Sequence, residues 1–374
     1  MTVVIFLAVL SVLVVVHELG HFLAARWNGV GVEEFGLGFP PRLIGWFKNG
    51  RGHWRTIGWR PPRHRHTIFS LNWIPLGGFV KLHGEDGIDR PNDPQSFSNK
   101  KAGQRILVVI AGVVMNIVLA AIIFIIGLSV GWPQATNNLG PQARVANQQI
   151  AIIEVIPDSP ANQAGLQAGD LITSINQQTI ASINQLRQLN QESAGQPLNY
   201  QIKRQETELD IQVKPQMMDG NNSQYTIGAA LAESGLVSYA WPRAIWEGWR
   251  LTALSLKDIA VGFWQLLNGL FHGHNMADQV AGPVGIAVLT GQISSLGFIY
   301  LLQFVALLSL NLAFINILPL PALDGGRLLF IAIEKITGHR TKAQIEALVH
   351  NIGFILLLSL IILITFQDVS RLLR

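Results

Sequence analysis

Near the start of the chain, His17-Glu18-Leu19-Gly20-His21 forms an HExxH sequence. On a helix, positions i and i+4 share a face, so the two imidazoles can hold one metal ion. Glu18 then stands beside that ion, placed to take a proton from a water molecule. This is the chemistry of metal-assisted hydrolysis. So short a pattern also arises by chance, and its surroundings decide its weight. The apolar run Thr2–Val16 leads straight into it. Three ionisable side chains in an apolar helix are costly unless they pair or work. The competing reading ends the apolar helix at Val16 and leaves HELGH in ordinary water beside a membrane.

A catalytic zinc ion takes three protein ligands and keeps one position open. His53, His64, His66 and His83 lie in the loop that follows the motif, and His272, His274, His339 and His350 lie far along the chain. Asp324 is the better third ligand, in Asn316-Ile317-Leu318-Pro319-Leu320-Pro321-Ala322-Leu323-Asp324-Gly325-Gly326. Two prolines break a helix there and two glycines free the backbone, so the carboxylate can turn inward. Without HExxH, the same aspartate would read as a helix cap in a turn.

These groups need elements to carry them. Of the 374 residues 49% are hydrophobic and 13% charged, against roughly 25% charge in soluble domains. Much of the chain must therefore face lipid. About 20 helical residues at 1.5 Å each cross the ~30 Å hydrocarbon layer, and four stretches suffice: Thr2–Ala25, Ile106–Val130, Leu296–Leu320 and Ala347–Phe366. His350 and Asn351 shorten the apolar core of the last. The first lacks the basic start and cleavage site of a signal peptide and is expected to be retained. There are no cysteines, which excludes disulfides and thiolate metal sites.

Residues 26–105 carry thirteen basic against six acidic side chains, whereas 131–240 carry five against nine. Basic loops stay in the cytoplasm. This puts the N-terminus outside, the first loop inside, the middle region outside, the short third loop inside and the C-terminus outside. His17 then lies about 22 Å into its span, near the cytoplasmic end, the end at which Asp324 also falls.

The first loop reads as irregular at its start, followed by a β-hairpin over Thr67–Val80 with Pro75 and Gly77-Gly78 at or near its turn. A strand edge facing lipid needs protein cover or a partner strand. In the middle region, Gln149–Ile156 and Leu171–Asn176 read as strands and Leu198–Arg204 with Glu208–Lys214 as a hairpin. Pro160–Gly165 and Ser182–Gln191 read as helices, the latter capped by Ser182. Pro133–Gln148 reads as a polar linker. Trp241–Leu270, with tryptophans among Arg243, Arg250 and Lys257, reads as a helix lying on the membrane surface, with packing on the middle domain as the alternative.

The run from Ser159-Pro160-Ala161 to Ala164-Gly165-Leu166-Gln167-Ala168-Gly169-Asp170 resembles a bacterial PDZ signature. VHELGHFLAAR, IPLGGFVKL, AGVVMN, AGPVGIA, SLNLAFINILPLPALDGG and LFIAIEKITG together resemble the site-two protease family of intramembrane zinc metalloproteases, in its bacterial RseP (regulator of sigma-E protease) type, over nearly the whole chain. The resemblance implies an α-helical polytopic membrane protein with about four transmembrane helices, a membrane-associated β-hairpin and one inserted PDZ-like α/β domain. Its parts would be 1–130 (helices one and two with HExxH and the hairpin loop), 131–231 (periplasmic PDZ-like domain with linker), 232–295 (amphipathic interfacial region) and 296–374 (helices three and four with the LDG motif).

It implies Zn2+ held by His17, His21 and Asp324, with Glu18 activating water. Gly77, Gly78, Phe79 and Val80 would pair with an unwound substrate, which Asn311 and Asn316 would help to open. Substrates would be membrane proteins with a transmembrane segment, of anti-sigma-factor type, cut in the bacterial inner membrane with the active site toward the cytoplasm. Membrane lipid is the other expected partner, with peptide or ectodomain contact at the PDZ-like domain and no nucleic acid. The chain departs from the pattern in having room for one PDZ-like domain rather than two and in Gly112-Val113 where Gly-Pro is common. A membrane scaffold with a dead metal site is the rival from another class, and would be indifferent to Glu18. A transporter with a His-Glu-His proton relay would show helix repeats, and none is visible.

Overall fold

A computed structural model describes residues 2–58, 66–85, 93–136, 139–180, 182–204, 207–217, 224–272, 281–339, 341 and 343–372. Among the residues read above, Arg60, Arg63, His64, Arg65, Asp86, Asp89, Arg90 and His274 lie outside these. The chain divides into two compact units, Met1–Phe124 with Gly248–Arg374, and Ile125–Glu247.

Among the described residues, four helices are long and apolar enough to cross a membrane: α1 (Thr2–Trp27), α2 (Ala102–Val130), α7 (Phe298–Ile317) and α9 (Ala343–Leu372). These are the four spans expected, each somewhat longer or shorter than its apolar run. Most of α9 presents bare hydrocarbon, with Phe354, Ile355, Leu356 and Ile362 all more than half exposed. Water would not tolerate so long an apolar surface, and lipid does. The protein is a polytopic helical membrane protein.

The first unit also holds a sheet of β1 (Val32–Lys48), β2 (Trp54–Ile57) and β3 (Ile68–Leu82) in the order β2-β1-β3. The start of the first loop, irregular by its sequence, is instead a 17-residue strand. Its glycines and Pro40-Pro41 mark a bend rather than a break, and Arg42 Nε closes the bend by donating to Glu34 Oε1 at 3.0 Å. The residues read as a hairpin belong to a larger sheet. Both arms of β3 pair with β1, through Val32↔Leu82 to Leu37↔Gly78 on one side and Arg42↔Asn72 to Phe47↔Ile68 on the other. The five runs therefore lie in the order 54–57, 42–48, 68–72, 32–37, 78–82, and 78–82 is an outer edge. Gly77 and Gly78 bring that edge onto α1: a Cβ at Gly77 would lie 3.1 Å from Val14 Cγ1 and one at Gly78 3.6 Å from Val15 Cγ2. These valines come just before His17.

Among the described residues, the first unit also holds α6 (Pro283–Ser295), α8 (Asp324–Thr337) and most of α5 (Trp241–Phe271), which begins in the second. The expected amphipathic helix is α5, and Trp241, Trp246 and Trp264 on it are 60–69% exposed. The start of α6 is tied to α9: the backbone N–H groups of Gly282 and Gly285 both donate to the buried Asp368, at 3.3 and 2.7 Å.

The second unit is the expected α/β domain. Its sheet runs β4 (Trp132–Ala135), β12 (Ala229–Ser238), β5 (Arg144–Val155), β6 (Leu171–Ile175), β8 (Leu198–Arg204) and β9 (Thr207–Val213), with β7 (Gln178–Thr179) on β6; β10 (Gln216–Met217) pairs with β11 (Tyr225–Thr226). Ser159 and Ser182 cap α3 (Pro160–Gln163) and α4 (Ile183–Glu192) with their hydroxyls. The stretch read as a polar linker is corrected: it holds β4 and the start of β5. The sheet also runs past Leu231 to Ser238. Ile150, Ile152, Ile172, Ile175, Leu186, Tyr200 and Ile202 fill the core. Buried Asp170 closes the PDZ-like signature, accepting from Arg204 Nε and Nη2 at 2.7 Å each and from the Gln167 N–H at 2.8 Å.

Candidate metal centre

His17 and His21 fall one turn apart on the inner face of α1, and α2 runs against that face. Two glycines permit the approach. A Cβ at Gly20 would stand 2.3 Å from the Ala111 carbonyl oxygen, and one at Gly112 would stand 2.5 Å from His21 Nε2 and 2.8 Å from His17 Cε1. A side chain at Gly112 would fill the space between the imidazoles. The chain's departure from Gly-Pro lies at Val113 and leaves this glycine in place.

Asp324 arrives 307 residues later as the first residue of α8. The loop before it folds tightly on itself, because a Cβ at Gly325 or Gly326 would collide with the carbonyl oxygens of Leu318 and Leu320 at 2.0 and 2.4 Å. Ala322 takes a left-handed conformation (φ 72°), and its N–H donates to His350 Nδ1 on α9 at 2.9 Å. Gly353, one turn along α9, lets that helix rest on Pro321, where a Cβ would lie 2.2 Å from Pro321 Cβ. The last helix thus seats the loop that carries the carboxylate.

The three side chains converge. His17 Nε2 lies 2.9 Å from Asp324 Oδ2, His21 Nε2 3.3 Å from the same oxygen, and the two Nε2 atoms 3.1 Å apart. Ligand atoms about 2.0–2.1 Å from a tetrahedral zinc ion stand about 3.3 Å from one another, so this triangle suits that ion. The groups behind the histidines agree with it. His21 Nδ1–H donates to the Val108 carbonyl at 2.9 Å, leaving Nε2 free to ligate. His17 Nδ1 lies 3.3 Å from the Asn116 side-chain amide. Among the described residues Asn116 Oδ1 is buried without a partner, and a half-turn of the amide sets that oxygen on His17 Nδ1–H. Asn116 is itself held, its carbonyl accepting from Ser309 on α7 at 2.8 Å. The sequence reading missed its role, although it is the one amide in a run of apolar residues.

Glu18 is half-buried beside both histidines and Asp324 and lies near the Val80 backbone. Of the other expected residues, Gly77, Gly78, Phe79 and Val80 lie on or beside the outer edge of the sheet. Asn311 and Asn316 are not drawn into the cluster. Asn311 is exposed and its amide donates to the Leu307 carbonyl of its own helix at 2.9 Å. Asn316 is half-buried, near the end of α7.

The sequence model of peptidase family M50 matches residues 5–360. A putative zinc metalloprotease of Clostridium perfringens is 34% identical over 359 residues, covering 96% of either chain. One of Nostoc sp. is 35% identical over 377 residues, 98% of this chain and 95% of that one. Zinc metalloprotease RasP of Geobacillus kaustophilus is 29% identical over 450 residues, 98% and 97% of the two chains. Among solved structures, a PDZ domain of an SdrC-like protein from Listeria monocytogenes covers 24% of this chain and 92% of its own, at 24% identity and a TM-score of 0.22.

Proposed function

We propose that this chain, which belongs to peptidase family M50 and is a zinc metalloprotease, hydrolyses peptide bonds within transmembrane segments of single-span membrane proteins. The observation that carries the reading is the position of HExxH inside α1, a helix apolar enough to cross a membrane, with Asp324 folded back against it. A protease of soluble substrates has no use for a centre at that depth. Substrates of anti-sigma-factor type, in the bacterial inner membrane, fit the family resemblance.

In this mechanism His17, His21 and Asp324 hold the zinc. The ion, when bound, lowers the pKa of water and polarises the scissile carbonyl. Glu18 takes the proton of the attacking water and returns it to the leaving nitrogen. Val108 and Asn116 keep the ligating nitrogens pointed inward. The substrate helix must unwind first, and each freed N–H and C=O costs several kcal/mol in lipid unless it finds a partner. The outer edge at Gly78–Val80 offers backbone partners, and Asn311 and Asn316 offer amide oxygens.

The charge bias between the loops supports an active site toward the cytoplasm and a PDZ-like domain in the periplasm. In that domain a cavity of about 1140 Å³ between α4 and residues 224–231 suits an extended peptide or the tail of an ectodomain. Membrane lipid against α5 accounts for its exposed tryptophans.

Co-expression with a tagged single-span substrate tests the whole. Glu18→Gln should cut about 100- to 10,000-fold more slowly while zinc content, by elemental analysis, stays at one ion per chain. Cleavage within tenfold of wild type would sink the assignment. Val80→Pro, which removes an edge N–H, should cripple cleavage of helical substrates and spare zinc. A substrate with Gly or Pro near its scissile bond should be partly rescued, since it needs less help to unwind. Normal cutting by Val80→Pro would make the edge merely structural.

A further inference from the structure

The edge that faces the metal centre is not open along its length. Backbone N–H groups alternate in direction along a strand, so those of Gly78, Val80 and Leu82 point outward together. The Val80 backbone lies near Glu18. That of Leu82 is already taken: it donates to Glu85 Oε2 at 3.2 Å. The other oxygen of Glu85 accepts from Arg327 Nη1. Arg327 lies three residues beyond Asp324 on α8, on the same side of that helix. One carboxylate therefore blocks the rung next to Val80 and ties the strand edge to the helix that carries a metal ligand.

We infer that Glu85, held by Arg327, is a stop that ends the substrate's strand pairing at Val80 and so selects which peptide bond lies at Glu18. This rests on the reading that substrates pair with the outer edge. An added strand gains one rung for every two residues, about 6.6–6.8 Å. A slip of two residues keeps every side chain on its own face and is opposed by little else. Beside a uniform edge, an unwound apolar segment would settle in several registers and be cut at several bonds. A carboxylate on the Leu82 N–H removes the registers that extend past Val80, because a substrate carbonyl would have to displace a group that Arg327 holds in place. The pair also keeps Asp324 and the edge at a constant offset, which gives the selected register its meaning.

The absence of cysteine from the chain makes the test clean. With Glu18→Gln to hold substrate uncut, single cysteines are placed at Phe79 or at Lys81, and a single-span substrate carries a cysteine scanned through its membrane segment. Disulfide capture should occur at Phe79→Cys and be at least tenfold weaker at Lys81→Cys. Adding Glu85→Ala should raise capture at Lys81→Cys to the level of Phe79→Cys, whereas Glu85→Gln, which keeps an acceptor, should not. In active enzyme, product masses should show one dominant cut, joined in Glu85→Ala by a second cut two residues away. Equal capture at Lys81→Cys with and without Glu85 would overturn the stop, as would unchanged cleavage positions in an active Glu85→Ala enzyme. Should Glu85→Ala be inactive, capture in the Glu18→Gln background still decides. No capture at Phe79→Cys either, with or without Glu85, would instead overturn edge pairing itself.

Discussion

Two aspartates in this chain lie among other side chains in opposite ways. Asp170, in the soluble domain, is fully buried and saturated: Arg204 grips both its oxygens and the Gln167 N–H takes one of them again. Its charge is neutralised within the domain, and the arrangement braces the turn between α3 and β6. Asp324, in the membrane unit, meets two imidazoles whose far nitrogens are already directed at Val108 and Asn116. Three lone-pair donors face one another at about hydrogen-bond distance, the arrangement proposed above to hold zinc. A brace carries its own counter-charge; a metal site leaves it to be supplied. Both kinds of polar cluster are costly to bury, and what separates them is whether the protein completes them.

That contrast can be broken by exchanging the roles. The largest effect is expected at Asp324→Ala, which leaves two histidines to hold the zinc. Zinc should fall well below half occupancy by elemental analysis and cleavage should vanish. Protease resistance of the PDZ-like domain, followed in the full-length protein, should not change. Full zinc occupancy in this variant would mean that a different residue completes the site.

Asp170→Ala should do the reverse. Breaking a buried ion pair costs about 3–5 kcal/mol, and the 29% exposure of Arg204 lowers this to roughly 2–4 kcal/mol through solvent screening. The PDZ-like domain should become sensitive to proteolysis at a lower temperature while zinc stays bound. Loss of zinc together with the domain would show that the two clusters are not independent.

The smallest change is expected at His350→Ala. It removes the acceptor for the Ala322 N–H, an interaction worth about 1 kcal/mol, from a loop that Gly353 still lets α9 support. Zinc should be surrendered to a competing chelator roughly fivefold faster, in line with that loss, with the carboxylate still present. His350→Gln, which can offer an oxygen to the same N–H, should recover part of the difference. A release rate equal to wild type would remove α9 from the list of elements that hold the centre.

How much of this is legible in the sequence depends on the range of the interaction. HExxH lies within one turn, and the four membrane helices announce themselves by apolar runs, so both were legible. The strands of the soluble domain follow alternating patterns bounded by caps at Ser159 and Ser182. β1 was not legible, because Glu33, Glu34, Gly36, Gly38 and Pro40-Pro41 interrupt any alternation; its pairing with β3 compensates for weak local preference. β4 hid because its buried Trp132 directly follows the apolar run of α2 and only Pro133–Ala135 remain to mark it. The convergence of Asp324 on His17 across 307 residues could be guessed from chemistry alone, since few other donors remained. Gly112 and Asn116 could not, because their importance lies in the face that α2 turns to α1, and an almost uniformly apolar helix does not reveal its faces.

The tie between α6 and α9 bears on the order of synthesis. The first turn of α6 has no capping side chain of its own, and its N–H groups wait for Asp368, which the ribosome adds 83 residues after Gly285. Helix α9 also brings His350 and Gly353 to the loop before Asp324. A nascent chain therefore carries HExxH in place early but assembles the surroundings of Asp324 only after α9 has been made. Until α9 has been made, a ribosome-bound intermediate lacks the support for that loop, and the proposed metal centre is not yet assembled.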